Sequence, residues 1–192
     1  MARGVCAAAA AGLAMGALAW AGPAAANVTV VGGGFAADCS RSAKAVSERH
    51  TPHAEAIHEC DLALDTEVLS THEVAATHVN RGVLYLAGQK YLQARQDFDR
   101  AAALEPQLGE AYVNRGAALI GLGRPAEAVA EIDRGLALGA EEPEKAYFNR
   151  AIAKERLHDV KGAYLDYLKA AELKPDWDMP RTELERFQVT RK

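Results

Sequence analysis

The feature that most limits what this chain can fold into is that it repeats itself. Asn80-Arg81-Gly82, Asn114-Arg115-Gly116 and Asn149-Arg150-Ala151 recur at intervals of 34 and 35 residues. Twelve residues after each Gly or Ala comes a small residue, Ala94, Ala128 and Ala163, and four further on a large one, Phe98, Ile132 and Tyr167. Eight beyond those stand Pro106, Ala140 and Pro175. Each unit carries two blocks of apolar residues at helical spacing, such as Val79, Val83 and Leu86, then Ala94, Phe98 and Ala101, and so reads as helix, turn, helix. A helix pair of this size cannot bury its apolar face alone, so neighbouring units have to stack.

Composition agrees with helices. Of 192 residues 49% are apolar and 25% charged, which excludes wholesale disorder. Aromatics are only 6%, with alanine making up much of the apolar share, a balance that suits closely packed helices better than sheets. Lys and Arg total 22 against 26 Asp and Glu, so the basic face that phosphate-backbone binding needs is missing and nucleic acid is not an expected partner.

The repeated pattern resembles the tetratricopeptide repeat. In the second copy Tyr112, Gly116, Leu119, Ala128 and Ile132 match it; in the first Gly82, Tyr85, Ala94, Phe98 and Pro106; in the third Tyr147, Ala163, Tyr167 and Pro175. The departures are His78 for the opening aromatic, Ala151 for the glycine, Lys154 for the second aromatic and Ala140 for the proline. The resemblance implies an all-α, right-handed solenoid of antiparallel helix pairs, with repeats at 75–108, 109–143 and 144–177. A degenerate copy at 38–74 precedes them, its first helix running from Asp38 to Arg49 and its second carrying Ala56, Cys60 and Ala63, with Pro52 at the beginning. Ser70 followed by Glu73 has the form of a capping box. Residues 178–192 make a capping helix and tail, an amphipathic stretch from Asp176 to Val189 in which Trp177, Leu184 and Phe187 cover the last repeat.

Upstream of the repeats, residues 1–26 read as an export signal. Arg3 precedes an uncharged stretch from Val5 to Trp20, and Ala24-Ala25-Ala26 offers small residues for cleavage before Asn27. Gly12, Gly16, Gly22 and Pro23 argue against the alternative, an uncleaved membrane anchor. The mature chain is then exported, to the periplasm, with no membrane span. Residues 27–37 read as a flexible, Gly-rich lead-in; Gly32-Gly33-Gly34 lacks the Lys and Ser/Thr of a phosphate loop. In an oxidising compartment Cys39 and Cys60 pair as a disulfide, two free buried thiols being the alternative. His50, His53 and His58 lie between them at no zinc spacing, and neither a metal nor a cofactor is expected.

Two polar series recur with the repeat. Sixteen residues after each arginine stands an acid: Arg81 with Asp97, Arg115 with Glu131, Arg150 with Asp166. A hairpin folds its second helix back on its first, so each arginine meets an acid of its own or the adjoining repeat, a structural ion pair. Asn80, Asn114 and Asn149 resemble the asparagine ladder with which some tetratricopeptide proteins grip a peptide main chain, since an amide offers both donors and an acceptor whatever the ligand sequence. Bonds to neighbouring helix backbones are the alternative. Around them Val79, Val83, Leu86, Val113, Ala117, Ile120, Phe148 and Ile152 give an apolar concave groove that turns charged near Lys145, Glu155 and Arg156.

An apolar segment fits such a groove better than an acidic tail. With no catalytic motif and no spare domain, the chain reads as a protein-interaction module for a peptide or partner protein rather than as an enzyme. The alternative is a self-associating structural protein whose groove is closed by its own N-terminal segment or by a second copy.

Overall fold

A computed structural model describes residues 7–9, 25, 28–30, 33–49 and 54–190. Among these residues lie nine α-helices: α1 (Phe35–Arg49), α2 (Ala54–Thr66), α3 (Thr71–Ala87), α4 (Tyr91–Leu104), α5 (Gly109–Gly121), α6 (Pro125–Ala137), α7 (Pro143–Arg156), α8 (Val160–Leu173) and α9 (Asp178–Leu184). Packing is densest within the pairs α3/α4, α5/α6 and α7/α8, and each pair then stacks on the next. The first helices of the pairs also touch in series, α1 on α3, α3 on α5 and α5 on α7, forming one layer backed by α2, α4, α6 and α8. Among the described residues the other regular element is a three-residue antiparallel ladder between β1 (Ala7–Ala9) and β2 (Gln188–Thr190). No helix among the described residues is long and apolar enough to cross a membrane. The export signal falls outside the described residues except for Ala7–Ala9 and Ala25, as do Pro52, His50 and His53.

Local chemistry sets where the helices start. The Ser70 hydroxyl accepts from Glu73 N, and the Glu73 carboxylate accepts from Ser70 N at 2.8 Å, completing a capping box at α3. The backbone and hydroxyl hydrogen bonds from Ser70 hold the Glu73 carboxyl below its ordinary range. Pro125 and Pro143 occupy the first turns of α6 and α7, where a missing N–H costs no helical bond. The turns inside successive repeats place one residue in the left-handed region at the equivalent position: Gln89 at φ 58°, Gly123 at 73° and His158 at 62°.

Two boundaries differ from those the sequence suggests. Helix α1 starts at Phe35 rather than Asp38, because Glu67, just past the end of α2, receives the N–H groups of Phe35 and Ala36 at 2.7 and 3.0 Å. Gly34 makes that approach possible: its φ is +108° and any Cβ there would collide with the Glu67 carboxylate. At the other end the capping helix spans only Asp178–Leu184, not 176–189, since the chain beyond Phe187 is extended in the ladder. Trp177, Met179, Leu184 and Phe187 still pack on the core that Phe148, Ala163, Tyr167 and Ala170 build.

Helices within a pair approach closely at the glycines. A Cβ on Gly82 would strike the Phe98 ring, and one on Gly116 would lie 2.5 Å from Ile132 Cγ1 and 3.0 Å from the Ala128 carbonyl oxygen. Cys39 of α1 and Cys60 of α2 are fully buried and joined by a disulfide, their Cα atoms 4.9 Å apart.

Replacing Gly116 by Leu forces α5 and α6 apart; chemical denaturation should show a loss of about 1–3 kcal/mol, whereas an unchanged midpoint contradicts the close contact. Reduction of the Cys39–Cys60 bridge reopens a loop of about 20 residues in the unfolded chain and should lower stability by roughly 3 kcal/mol in the chain-entropy account. Thiol titration of the folded, oxidised protein should find neither cysteine.

Candidate functional site

Each repeat arginine joins three helices. Arg81 Nε and Nη2 donate to the two carboxylate oxygens of Asp97 on α4 at 2.8 and 2.7 Å, and its Nη1 donates to Asp61 on α2 at 2.6 Å. Arg115 binds Glu131 of α6 through Nε and Nη2, and Asp99 of α4 through Nη1 at 3.0 Å. Arg150 binds Asp166 of α8 at 2.8 and 2.7 Å, and Asp133 of α6 at 2.5 Å. The guanidinium of a first helix thus links the second helix of its own repeat to that of the repeat before. The tyrosines Tyr112 and Tyr147 lie under the guanidiniums of Arg115 and Arg150, each centroid 5.0 Å from Cζ. At the equivalent position in the first repeat His78 instead sits 3.1 Å from Asp97.

The charges respond to this geometry. Asp97 is only 1% exposed; burial works to raise its pKa, but the hydrogen bonds from Arg81 and His78 outweigh burial and hold the carboxyl below its ordinary value. Hydrogen bonds to Asp97 and Asp166 raise the pKa values of Arg81 and Arg150 against the opposing effect of burial. Arg115 is shifted the same way, with burial again opposed by Glu131 and Asp99. The partners Asp61, Asp99 and Asp133 are a second acidic series at intervals of 38 and 34 residues, and they become visible in the sequence only once the four-residue insertion before the first clear repeat is allowed for.

The asparagines sit one residue before the arginines, turned away from the ion pairs. Asn80, Asn114 and Asn149 are all buried. Asn80 Nδ2 donates to the main-chain carbonyl of Val28 at 3.0 Å, across 52 residues of sequence. The Asn149 amide nitrogen has no hydrogen-bond partner among the described residues.

The apolar residues around them are not an open surface. Val79, Val83, Leu86 and Ala117 are buried in one core cluster that also contains Ala25, with half-buried Val28 packed against it. Ile120 is buried and Ile152 half-buried in the cluster between α5, α6 and α7. Val113 and Phe148 belong to the helix-pair interiors: Val113 Cγ2 is what a Cβ on Gly135 of α6 would meet, and the Phe148 ring lies 5.4 Å from Tyr167 and 4.9 Å from Trp177. Of the charged border, Lys145 donates to the carbonyl of Ala25 at 2.9 Å, Arg156 donates to the Ile120 carbonyl, and Glu155 accepts from Tyr167 Oη at 2.7 Å.

Val28 of the lead-in and Ala25, just before it, are correspondingly fixed. The Val28 carbonyl also accepts from Ser40 Oγ at 3.1 Å, and the Ala25 carbonyl from Ser47 Oγ at 3.1 Å. Among the described residues no three His, Cys, Asp or Glu side chains are grouped so as to hold a metal ion.

Comparison with solved structures places this architecture. The first TPR domain of human RPAP3 superposes with a TM-score of 0.57 and 26% identity, over 61% of this chain and 91% of that one. The fold is a tetratricopeptide-repeat solenoid. The first TPR of Spaghetti (RPAP3), bound to the HSP90 peptide SRMEEVD, superposes at 0.55 with 25% identity, over 60% of this chain and 90% of that one. The MamA RS-1 ArsTM double mutant covers more of the solenoid, 79% of this chain and 82% of its own, at a TM-score of 0.56 and 20% identity. No protein-family model matches the sequence, and no curated protein does.

Because Asp97 is depressed in the folded state, its contribution to stability is present above the unfolded carboxylate range near about pH 4 and is lost as pH falls through its folded pKa. Denaturation midpoints from pH 5 down to 2 should therefore fall more steeply in the wild type than in Asp97→Asn. Arg81→Ala at neutral pH leaves the buried carboxylate short of its main partner and should destabilise by about 3 kcal/mol; a loss below about 0.5 kcal/mol contradicts the clamp.

Proposed function

We propose that this protein is an exported, non-enzymatic interaction module that holds an extended segment of a partner protein along its asparagine-lined concave layer. The observation that carries the reading is the bond from Asn80 Nδ2 to the Val28 carbonyl: a repeat asparagine engaging main chain that is not part of any helix. An amide that binds main chain is indifferent to side-chain identity, so selectivity falls to the size and polarity of what packs beside it. Val79, Val83, Leu86 and Ala117 lie in the core cluster against which Val28 packs, a setting that suits small and β-branched apolar residues. The RPAP3 domain bound to SRMEEVD supports peptide capture as a use of this fold, while the apolar surround here favours a different peptide chemistry from that acidic one.

Selection of displayed random peptides on the immobilised protein tests the reading. Enriched peptides should be extended and apolar, and Asn149→Ala of unchanged helicity should bind them at least about fivefold more weakly, roughly 1 kcal/mol, the net worth of one hydrogen bond. No enrichment, or equal binding to the variant, overturns it. Export predicts separately that protein recovered from outside the cytoplasm begins at Asn27, read by N-terminal sequencing.

A further inference from the structure

The groove comes with an occupant, and the occupant reports what else fits. At its described residues Ala25, Val28 and Val30, the segment from Ala25 to Val30 is held through its main chain by side chains of three helices. The Ala25 carbonyl accepts from Lys145 Nζ of α7 at 2.9 Å and from Ser47 Oγ of α1 at 3.1 Å. The Val28 carbonyl accepts from Asn80 Nδ2 of α3 at 3.0 Å and from Ser40 Oγ of α1 at 3.1 Å, and Val30 N donates to the same hydroxyl at 3.5 Å. Ser40 and Ser47 are seven residues apart, two helical turns, and so share the face of α1 that meets the segment. Ser40 and Asn80 are buried polar side chains whose partner is this main chain, which makes the contact part of the interior rather than a surface encounter. Side-chain demands are narrow: Ala25 is fully buried, Val28 and Val30 are half-buried, and Thr29 faces solvent.

We infer that Ala25 to Val30 is an internal competitor for the groove, and that the partner it holds off is an extended segment of the same chemistry, small at the first position, apolar at the fourth and sixth, unrestricted at the fifth. The inference rests on the reading of the concave layer as a peptide groove. Among the described residues of the segment, Ala25 and Val28 join the core cluster, and the tether adds to the hydrogen bonds in keeping the segment in place. A linker of the few residues between Val30 and Phe35 gives it an effective concentration in roughly the millimolar range. A free segment must exceed that, and a longer ligand that displaced what covers Asn149 would gain a bond there, since its buried amide nitrogen, one repeat beyond Asn114, has no partner among the described residues. A cut after Ala26 would remove Ala25 and leave Val28 to Val30 attached, so export processing would open the Lys145 end of the groove first.

Fluorescence anisotropy of a labelled peptide with the sequence of residues 24–31 tests this on the full chain, with helicity checked by circular dichroism. Val28→Asp in the protein weakens the internal segment and should raise affinity for the added peptide at least about tenfold over wild type. Adding Asn80→Ala to that variant should abolish the gain. A peptide carrying Lys in place of Thr29 should bind like the parent, and one carrying Asp in place of Val28 should not bind. Equal affinity of wild type and Val28→Asp overturns the internal competitor while leaving the groove standing. Failure of the peptide on Val28→Asp, when library-selected peptides bind through Asn149, overturns the proposed partner chemistry alone; failure of both sets removes the groove itself. A dimer of the wild type by light scattering that Val28→Asp dissolves assigns the segment to a second copy and overturns competition within one chain.

Discussion

The structure depends on a guanidinium shared among three helices. Gly82 and Gly116 let the helices of a pair come close, but closeness fixes neither their rotation nor the position of the next pair. Arg81, Arg115 and Arg150 fix both, because a planar fork that pairs with one carboxylate through two nitrogens and with a second carboxylate through the third tolerates only one arrangement of α4, α6 and α8 relative to their predecessors. The net energy of such ion pairs is modest once desolvation is counted, and their value lies in register. Loss of a partner is costly because Asp97 and Asp166 are buried.

That register is also what aims the asparagines. Consecutive residues on an α-helix point about 100° apart, so an arginine committed to the second-helix layer turns the asparagine before it toward the other side. The Asn-Arg pair is therefore one device with two faces, the arginine setting the helix and the asparagine offering an amide to whatever lies along the first-helix layer. At α3 that is the Val28 carbonyl. Recognition of main chain through an amide, two serines and a lysine explains how a face with so few charged side chains can hold a segment in a defined path.

Much of the fold was legible in the sequence because the repeat imposes the same small and large residues at the same spacing each time. One acid for each arginine was legible by the same recurrence. Asp61, Asp99 and Asp133 were not, since the first interval is lengthened by the insertion before α3 and these acids serve the following repeat rather than their own. Helical spacing also placed Val113 and Phe148 beside the asparagines, yet it cannot say which side of a stripe faces the paired helix, and both fill the pair interior. The Gly-rich lead-in read as flexible because composition carries no sign of main-chain hydrogen bonds to residues 10 to 52 positions away. The early start of α1 likewise depends on Glu67, a tertiary partner with no local signature.

The most direct test of the account is photo-crosslinking from a benzoylphenylalanine placed at Val30, beside the main-chain contact of Val28 and half exposed, followed by mass spectrometry of the crosslinked peptides. The account predicts crosslinks within one chain, to the α1 face carrying Ser40 and to α3 around Asn80, lost on addition of saturating apolar peptide. Crosslinks scattered over the surface, or none to α1 or α3, would contradict a groove that holds its own N-terminal segment.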